Sequence, residues 1–184
     1  MLMISLFETE KGAQHRHAHS LLRQCLRPIG IDYREELLAR GEHGKPYLPD
    51  LPEVHFSLSH AKGIAACLVE DRECGIDCEG PRPLRPGVVK RAFSEAEQEL
   101  VGSAEDRDLM FLRLWTLKEA YVKAIGTGLA FPLKEAEFSI SPQGEISGPE
   151  GFSYRQYLLR GGFVVSLAVS QEPGGKFKKY SKNR

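Results

Sequence analysis

Neither sign of charge dominates this chain of 184 residues. Lysine plus arginine and aspartate plus glutamate number 25 each, so composition gives no ground for a nucleic-acid or membrane-surface partner. No apolar run approaches the ~20 residues of a membrane span. Cysteine is scarce, and Cys25, Cys67, Cys74 and Cys78 have neither zinc spacing nor the density of a disulfide framework. Reduced thiols in a cytoplasmic protein are the expectation. Residues 1–7 lack the basic start and small-residue cleavage site of a signal peptide. What is present, 41% hydrophobic and 27% charged residues, is ordinary for a soluble globular protein. The length suits one domain or two small halves.

Read in order, residues 2–7 form a buried strand and residues 15–27 a helix whose apolar side is Leu21, Leu22, Cys25 and Leu26. His15, His17 and His19 invite a metal reading, but on a helix only His15 and His19 share a face. The sequence shows no third ligand nearby, so a basic, solvated helix start is the expectation over a metal site. A short helix is expected over 33–39. Three prolines within 46–52 predict a rigid extended loop. Strands follow over 54–60, 64–70 and 74–79. The period of two in the last puts Asp77 and Glu79 on one face and Ile76 and Cys78 on the other.

Residues 80–87, with three prolines, read as a linker, dividing the chain into halves 1–84 and 85–170 and a polar tail 171–184. The second half opens with a helix over 88–93. Ser94 followed by Glu97 has the form of a capping box. Residues 108–125 are the longest helical pattern, free of glycine and proline, with Gly126 and Gly128 at its stop. At about 100° per residue, Phe111, Leu114, Trp115, Val122 and Ile125 share an apolar arc, with Lys118 in its middle and Glu119 and Lys123 on its flank. An ammonium on such an arc either snorkels to water or has a partner. Strands are expected over 136–141, 152–159 and 163–169, the last two joined as a hairpin at Gly161-Gly162.

Two carboxylates on one strand face repel unless a cation sits between them, although exposed strands often carry charge. Asp77 and Glu79, with Glu119 from another element, are the all-oxygen set that suits Mg2+. Lys123 lies one turn beyond Glu119 and is placed to meet a phosphate, and Ser59-His60 offers a hydroxyl and an imidazole to another. From spacing alone the reading stops at magnesium-dependent phosphate chemistry.

The segments Gly44-Lys45-Pro46, Phe56-Ser57-Leu58-Ser59-His60, Gly75-Ile76-Asp77-Cys78-Glu79, Phe93-Ser94-Glu95-Ala96-Glu97, Trp115 through Lys123 and Gly126-Thr127-Gly128-Leu129 carry a further signal. In this order and spacing they closely resemble the 4′-phosphopantetheinyl transferases of the surfactin-type class. The resemblance covers residues 44–169. It implies an α+β fold with a pseudo-twofold arrangement of two similar subdomains, each an antiparallel sheet packed on helices, and an active site in the cleft between them. It implies Asp77, Glu79 and Glu119 as Mg2+ ligands, and Lys45 and Pro46 along the adenine of coenzyme A. Ser59, His60, Lys118 and Lys123 would meet its phosphates. Glu97 is a further acidic position, organising either metal site or helix. Relatives grip the 3′-phosphate with basic residues of the first helix, where Arg16, His19 and Arg23 are the candidates here. Trp115 reads as packing.

The implied reaction moves phosphopantetheine from coenzyme A to a serine of an apo acyl or peptidyl carrier protein and releases 3′,5′-ADP. Glu119 would be the base and Lys123 the residue facing the leaving phosphate. A non-catalytic coenzyme A or carrier-binding module and a nucleotide-pyrophosphate hydrolase are the rival readings. Arg82, Arg85, Lys90 and Arg91 are either a docking patch for an acidic carrier or a solvated face, and the lysines of the tail read as solubilising. Two internal halves make a monomer the expected state.

Overall fold

The computed structural model describes residues 1–8 and 13–174, so most of the expected polar tail lies outside the described residues. Elements run β1 (Leu2–Leu6), α1 (Ala13–Leu26), β2 (Ala39–Arg40), β3 (Pro46–Tyr47), β4 (His55–Ala61), β5 (Ile64–Glu70) and β6 (Cys74–Glu79). They continue α2 (Pro86–Ala92), α3 (Glu95–Ser103), α4 (Arg107–Ile125), β7 (Ser139–Ile140), β8 (Ile146–Ser147), β9 (Phe152–Leu159) and β10 (Phe163–Ser170). No described helix is long and apolar enough to cross a membrane.

Two three-stranded antiparallel sheets organise the α+β fold, one ordered β1-β5-β4 and the other β6-β10-β9. Each is built from a leading strand, a helix, and a hairpin whose second strand takes the centre. The two halves are therefore topologically equivalent, in keeping with the expected pseudo-twofold arrangement. The equivalence starts anew at β6, however. That strand, assigned from sequence to the first half, pairs along its length with β10. A boundary at residue 84 cuts through the second sheet. The prolines after Gly80 mark the exit from β6 and not the join between repeats.

The apolar run of β5 is explained by burial on both faces, as in any covered central strand. Ala65, Cys67 and Val69 face Leu21, Leu22, Cys25 and Leu26 of α1. Ile64, Ala66 and Leu68 face Ile76 and Cys78 of β6 and Val165 and Leu167 of β10. In the second half α4 covers the sheet. It starts at an Asp106 cap, whose side chain accepts from the Leu109 N–H, and stops at Gly126 in the left-handed conformation, φ 74°. Its buried surface is wider than the expected arc, because Leu112, Leu117, Ala120 and Ala124 are buried as well. The two alanines face β6, where Gly75 has no side chain. A Cβ there would stand 1.9 Å from the Ala120 carbonyl oxygen.

Three local expectations change. Residues 33–39 make only a 3₁₀ turn, Glu35–Leu37, and Pro46–Tyr47 forms a short edge strand against β2, where the missing proline N–H is harmless. The strand expected over 136–141 shrinks to Ser139–Ile140 because its backbone is claimed by side chains. The Ala136 carbonyl accepts from Lys118 Nζ at 2.6 Å, and the Phe138 N–H donates to Glu97 Oε1 at 2.9 Å.

Candidate active site

The seam between the halves is made by side chains. Strands β4 and β6 lie side by side without being neighbours in either sheet. Ser57 Oγ accepts from the Ile76 N–H at 3.1 Å and Ser59 Oγ accepts from the Cys78 N–H at 3.2 Å, replacing the missing ladder. Alternation then points Asp77 and Glu79 away from Ile76 and Cys78, as expected of the strand. The close approach permitted by Gly75 brings α4, with Glu119 and Lys123, against them.

Asp77 is the centre of the arrangement. Its buried carboxylate receives Ser59 Oγ at 2.8 Å and Lys123 Nζ at 2.7 Å, both on Oδ1. Oδ2 is buried with no hydrogen-bond partner. Buried carboxylate oxygens are seldom left so, because the desolvation cost is uncompensated. Lys123 Nζ also donates to Ser59 Oγ and to the Ile76 carbonyl, each at 3.1 Å, so its three protons are engaged. Desolvation alone would lower its pKa, but Asp77 and Glu119 together raise it, which keeps it an ammonium. Burial, reinforced by repulsion from Asp77 and Glu79, raises the pKa of Glu119, and Lys123 offsets part of this. Glu79 is held by Arg82 at 3.0 Å.

An orphaned carboxylate oxygen with two further carboxylates in electrostatic reach fits a hard divalent cation, which takes oxygen donors. The three do not bring one oxygen each within 4.8 Å of one another; among the described residues only His15, His19 and Glu35 form such a group. That group also corrects the sequence reading of the histidines, because Glu35 is the third donor the sequence did not reveal.

A cavity of about 350 Å³ opens over Asp77, lined among others by His15, His19, Ser59, His60, Glu79 and Lys123. Pro46, Leu58 and Lys123 are shared with a cavity of about 220 Å³ beside Gly126 and Gly128. Lys45 and Pro46 also line an apolar slot of about 340 Å³ with Tyr47, Leu48 and Phe56. There Lys45 Nζ reaches Glu73 at 2.7 Å and the Ala124 carbonyl at 2.8 Å. Arg16 is exposed on α1 and does not line the cavity over Asp77, whereas His19 does.

Lys118 is elsewhere. It is fully buried, 2.8 Å from Glu97 Oε2, and donates to the carbonyls of Leu133 and Ala136. Its ammonium lies 5.6 Å above the Phe93 ring. The expectation that it faces a pyrophosphate is therefore overturned: the ammonium in the apolar arc is a core ion pair. Glu97 organises the helix. It completes the capping box with Ser94, holds Lys118 and accepts from the Phe138 N–H. Ser59 also changes role. Its one proton goes to Asp77, so it orients that carboxylate and has no donor left for a phosphate. Arg82 clamps Glu79 while its guanidinium lies 5.4 Å over Phe111, which removes it from the docking patch. Ser57 and Arg82 were missed as site residues because neither carries a signal of its own. The alternation that exposed Asp77 and Glu79 applies equally to Ser57 and Ser59.

Comparison with known proteins identifies the family. The sequence model of the 4′-phosphopantetheinyl transferase superfamily matches residues 73–168. The chain is 32% identical over 123 residues to the 4′-phosphopantetheinyl transferase Sfp of Bacillus subtilis, covering 66% of this chain and 55% of that protein. It is 36% identical over 142 residues to the 4′-phosphopantetheinyl transferase HetI of a Nostoc species, covering 70% and 60% respectively. The chain thus spans little more than half the length of these curated relatives. Among solved structures, the holo-[acyl-carrier-protein] synthase of Thermotoga maritima matches at 25% identity with a TM-score of 0.47, covering 56% of this chain and 66% of that one.

Proposed function

The chain belongs to the 4′-phosphopantetheinyl transferase superfamily, and from that premise we propose that it moves the phosphopantetheine of coenzyme A onto a serine of an apo acyl or peptidyl carrier protein. The observation that carries this reading is Asp77. One of its oxygens is saturated by Ser59 and Lys123, while the other is buried and unpartnered beside Glu79 and Glu119. A binding module has no need of such a leftover valence.

Asp77, Glu79 and Glu119 would hold Mg2+, which when bound neutralises charge on phosphoryl oxygens. Lys45 and Pro46 would border the adenine in the apolar slot, and His60, exposed at the cavity edge, would meet a phosphate. The carrier serine hydroxyl attacks the β-phosphorus of coenzyme A. The new serine O–P bond forms as the bond to the bridging oxygen breaks, and 3′,5′-ADP leaves with that oxygen. Glu119 takes the serine proton. Its raised pKa supports this, because a base titrating closer to neutrality holds a proton better. Lys123 stabilises the leaving phosphate after exchanging one of its three present contacts. Carrier and coenzyme A are the partners, and the two internal halves favour a monomer.

The test incubates the chain with coenzyme A, Mg2+ and an apo carrier protein and records the carrier's mass. A phosphopantetheinyl adduct is expected from the wild type, with a drop of about 10²-fold or more in rate for Glu119→Gln. Hydrolysis products without an adduct, or unchanged coenzyme A, would replace this reading with the hydrolase or the binder. Near-normal transfer by Glu119→Gln would remove Glu119 as the base.

A further inference from the structure

His15 and His19 sit one turn apart on α1, a spacing that puts both imidazoles on one face. Their rings stand 4.2 Å apart between centroids, tilted by 37°. Glu35 arrives from the 3₁₀ turn after α1, and its Oε1 lies 3.5 Å from His15 Nε2 and 3.8 Å from His19 Nε2. Both separations exceed the 2.7–3.2 Å of a good hydrogen bond, so the carboxylate points at both nitrogens without bonding either (range ~2.7–3.2 Å). An ion held at about 2.0–2.1 Å in tetrahedral geometry separates its ligand atoms by roughly 3.4 Å. The two nitrogen-to-oxygen separations stand close to that spacing already, and one donor atom from each of the three residues lies within 4.8 Å of the others.

The far side of His19 is fixed. Its Nδ1 is 2.6 Å from the hydroxyl of Tyr33, a residue buried in the first core. Metal-binding imidazoles are commonly oriented in this way through the nitrogen that does not bind the metal. Burial, with His15 and Arg40 nearby, lowers the pKa of His19 despite Glu35, which favours the neutral imidazole that a metal requires. The face turned away from Tyr33 opens on the cavity over Asp77, which His15 and His19 both line.

We propose that His15, His19 and Glu35 bind one divalent transition ion of the zinc class through the two Nε2 atoms and the Glu35 carboxylate, with a fourth position open to the cleft. Two nitrogens and one oxygen suit such an ion, whereas Mg2+ prefers an all-oxygen set like that of Asp77, Glu79 and Glu119. The open position accepts water or an anionic oxygen from whatever occupies the cavity. This site is independent of the transferase reading and stands or falls separately from it.

The experiment titrates the full chain with Co2+ in excess Mg2+, which occupies all-oxygen sites, and follows the visible absorption of tetrahedral cobalt. Competition with Zn2+ then gives the zinc affinity. One equivalent is expected to bind. Tyr33→Phe should weaken it by about 10-fold or more, and His15→Ala or Glu35→Gln by more still. Circular dichroism of each variant separates lost binding from lost fold, and half-exposed His15 and Glu35 can be changed without opening the core. Binding that survives His15→Ala and Glu35→Gln, or no cobalt absorption at one equivalent, would overturn the proposal.

Discussion

Five residues apart on α4, two lysines each meet a carboxylate, and the two pairs have opposite characters. Lys118 and Glu97 are both fully buried, and every remaining hydrogen-bonding group of the pair is answered by backbone. Lys123 and Asp77 stand at the cleft, with Lys123 about a third exposed and one Asp77 oxygen unanswered. A sealed pair is architecture. A pair with a valence left over and an opening to solvent is equipment for something that is still to arrive.

The comparison breaks most sharply at the sealed pair. Lys118→Met should destabilise the fold by about 3–5 kcal/mol, since it strands a buried carboxylate. Urea unfolding measures this, and a cost below 1 kcal/mol (against that ~3–5 kcal/mol expectation) would mean the pair is not sealed. The next effect falls on the open pair and reads out in turnover. Asp77→Asn keeps an oxygen for Ser59 and Lys123 at the cleft, so it should cost less stability in urea than Lys118→Met while transfer falls by about 10²–10³-fold. A variant that unfolds early but transfers normally would invert the assignment.

The smallest effect sharpens the boundary between the two. Glu119 has a raised pKa in the fold, so the folded chain holds that proton more tightly than the unfolded one. Its contribution to stability is present below the unfolded value, about 4.3, and is lost as pH rises through the higher folded value. In chelator, stability should therefore decline over that window, and Glu119→Gln should flatten the decline. Millimolar Mg2+ should restore stability to the wild type and not to the variant. Parallel pH curves for the two chains would remove the electrostatic crowding inferred here.

Much of this was legible in the residues. The alternation of β6 put Asp77 and Glu79 together, Ser94 and Glu97 announced the start of α3, and Gly126 its counterpart at the end of α4. Local periodicity cannot say which of two lysines on one helix turns inward. Lys118 is sealed only because Glu97 arrives from α3 and two carbonyls arrive from residues 133 and 136. The same long-range traffic consumed the strand expected at 136–141. Glu35 escaped notice as a metal donor because a buried Tyr33, and not sequence proximity, brings its turn back to α1. The halves were misdivided because prolines mark a change of direction, while strand pairing is decided by partners far along the chain.

Ser59 Oγ has a further meaning. A single oxygen stitches β4 to β6 through Cys78, aligns Asp77 and touches Lys123. Joint and carboxylate are thus coupled through one atom: the hydroxyl oxygen that helps Ser57 close the seam also sets the orientation of Asp77.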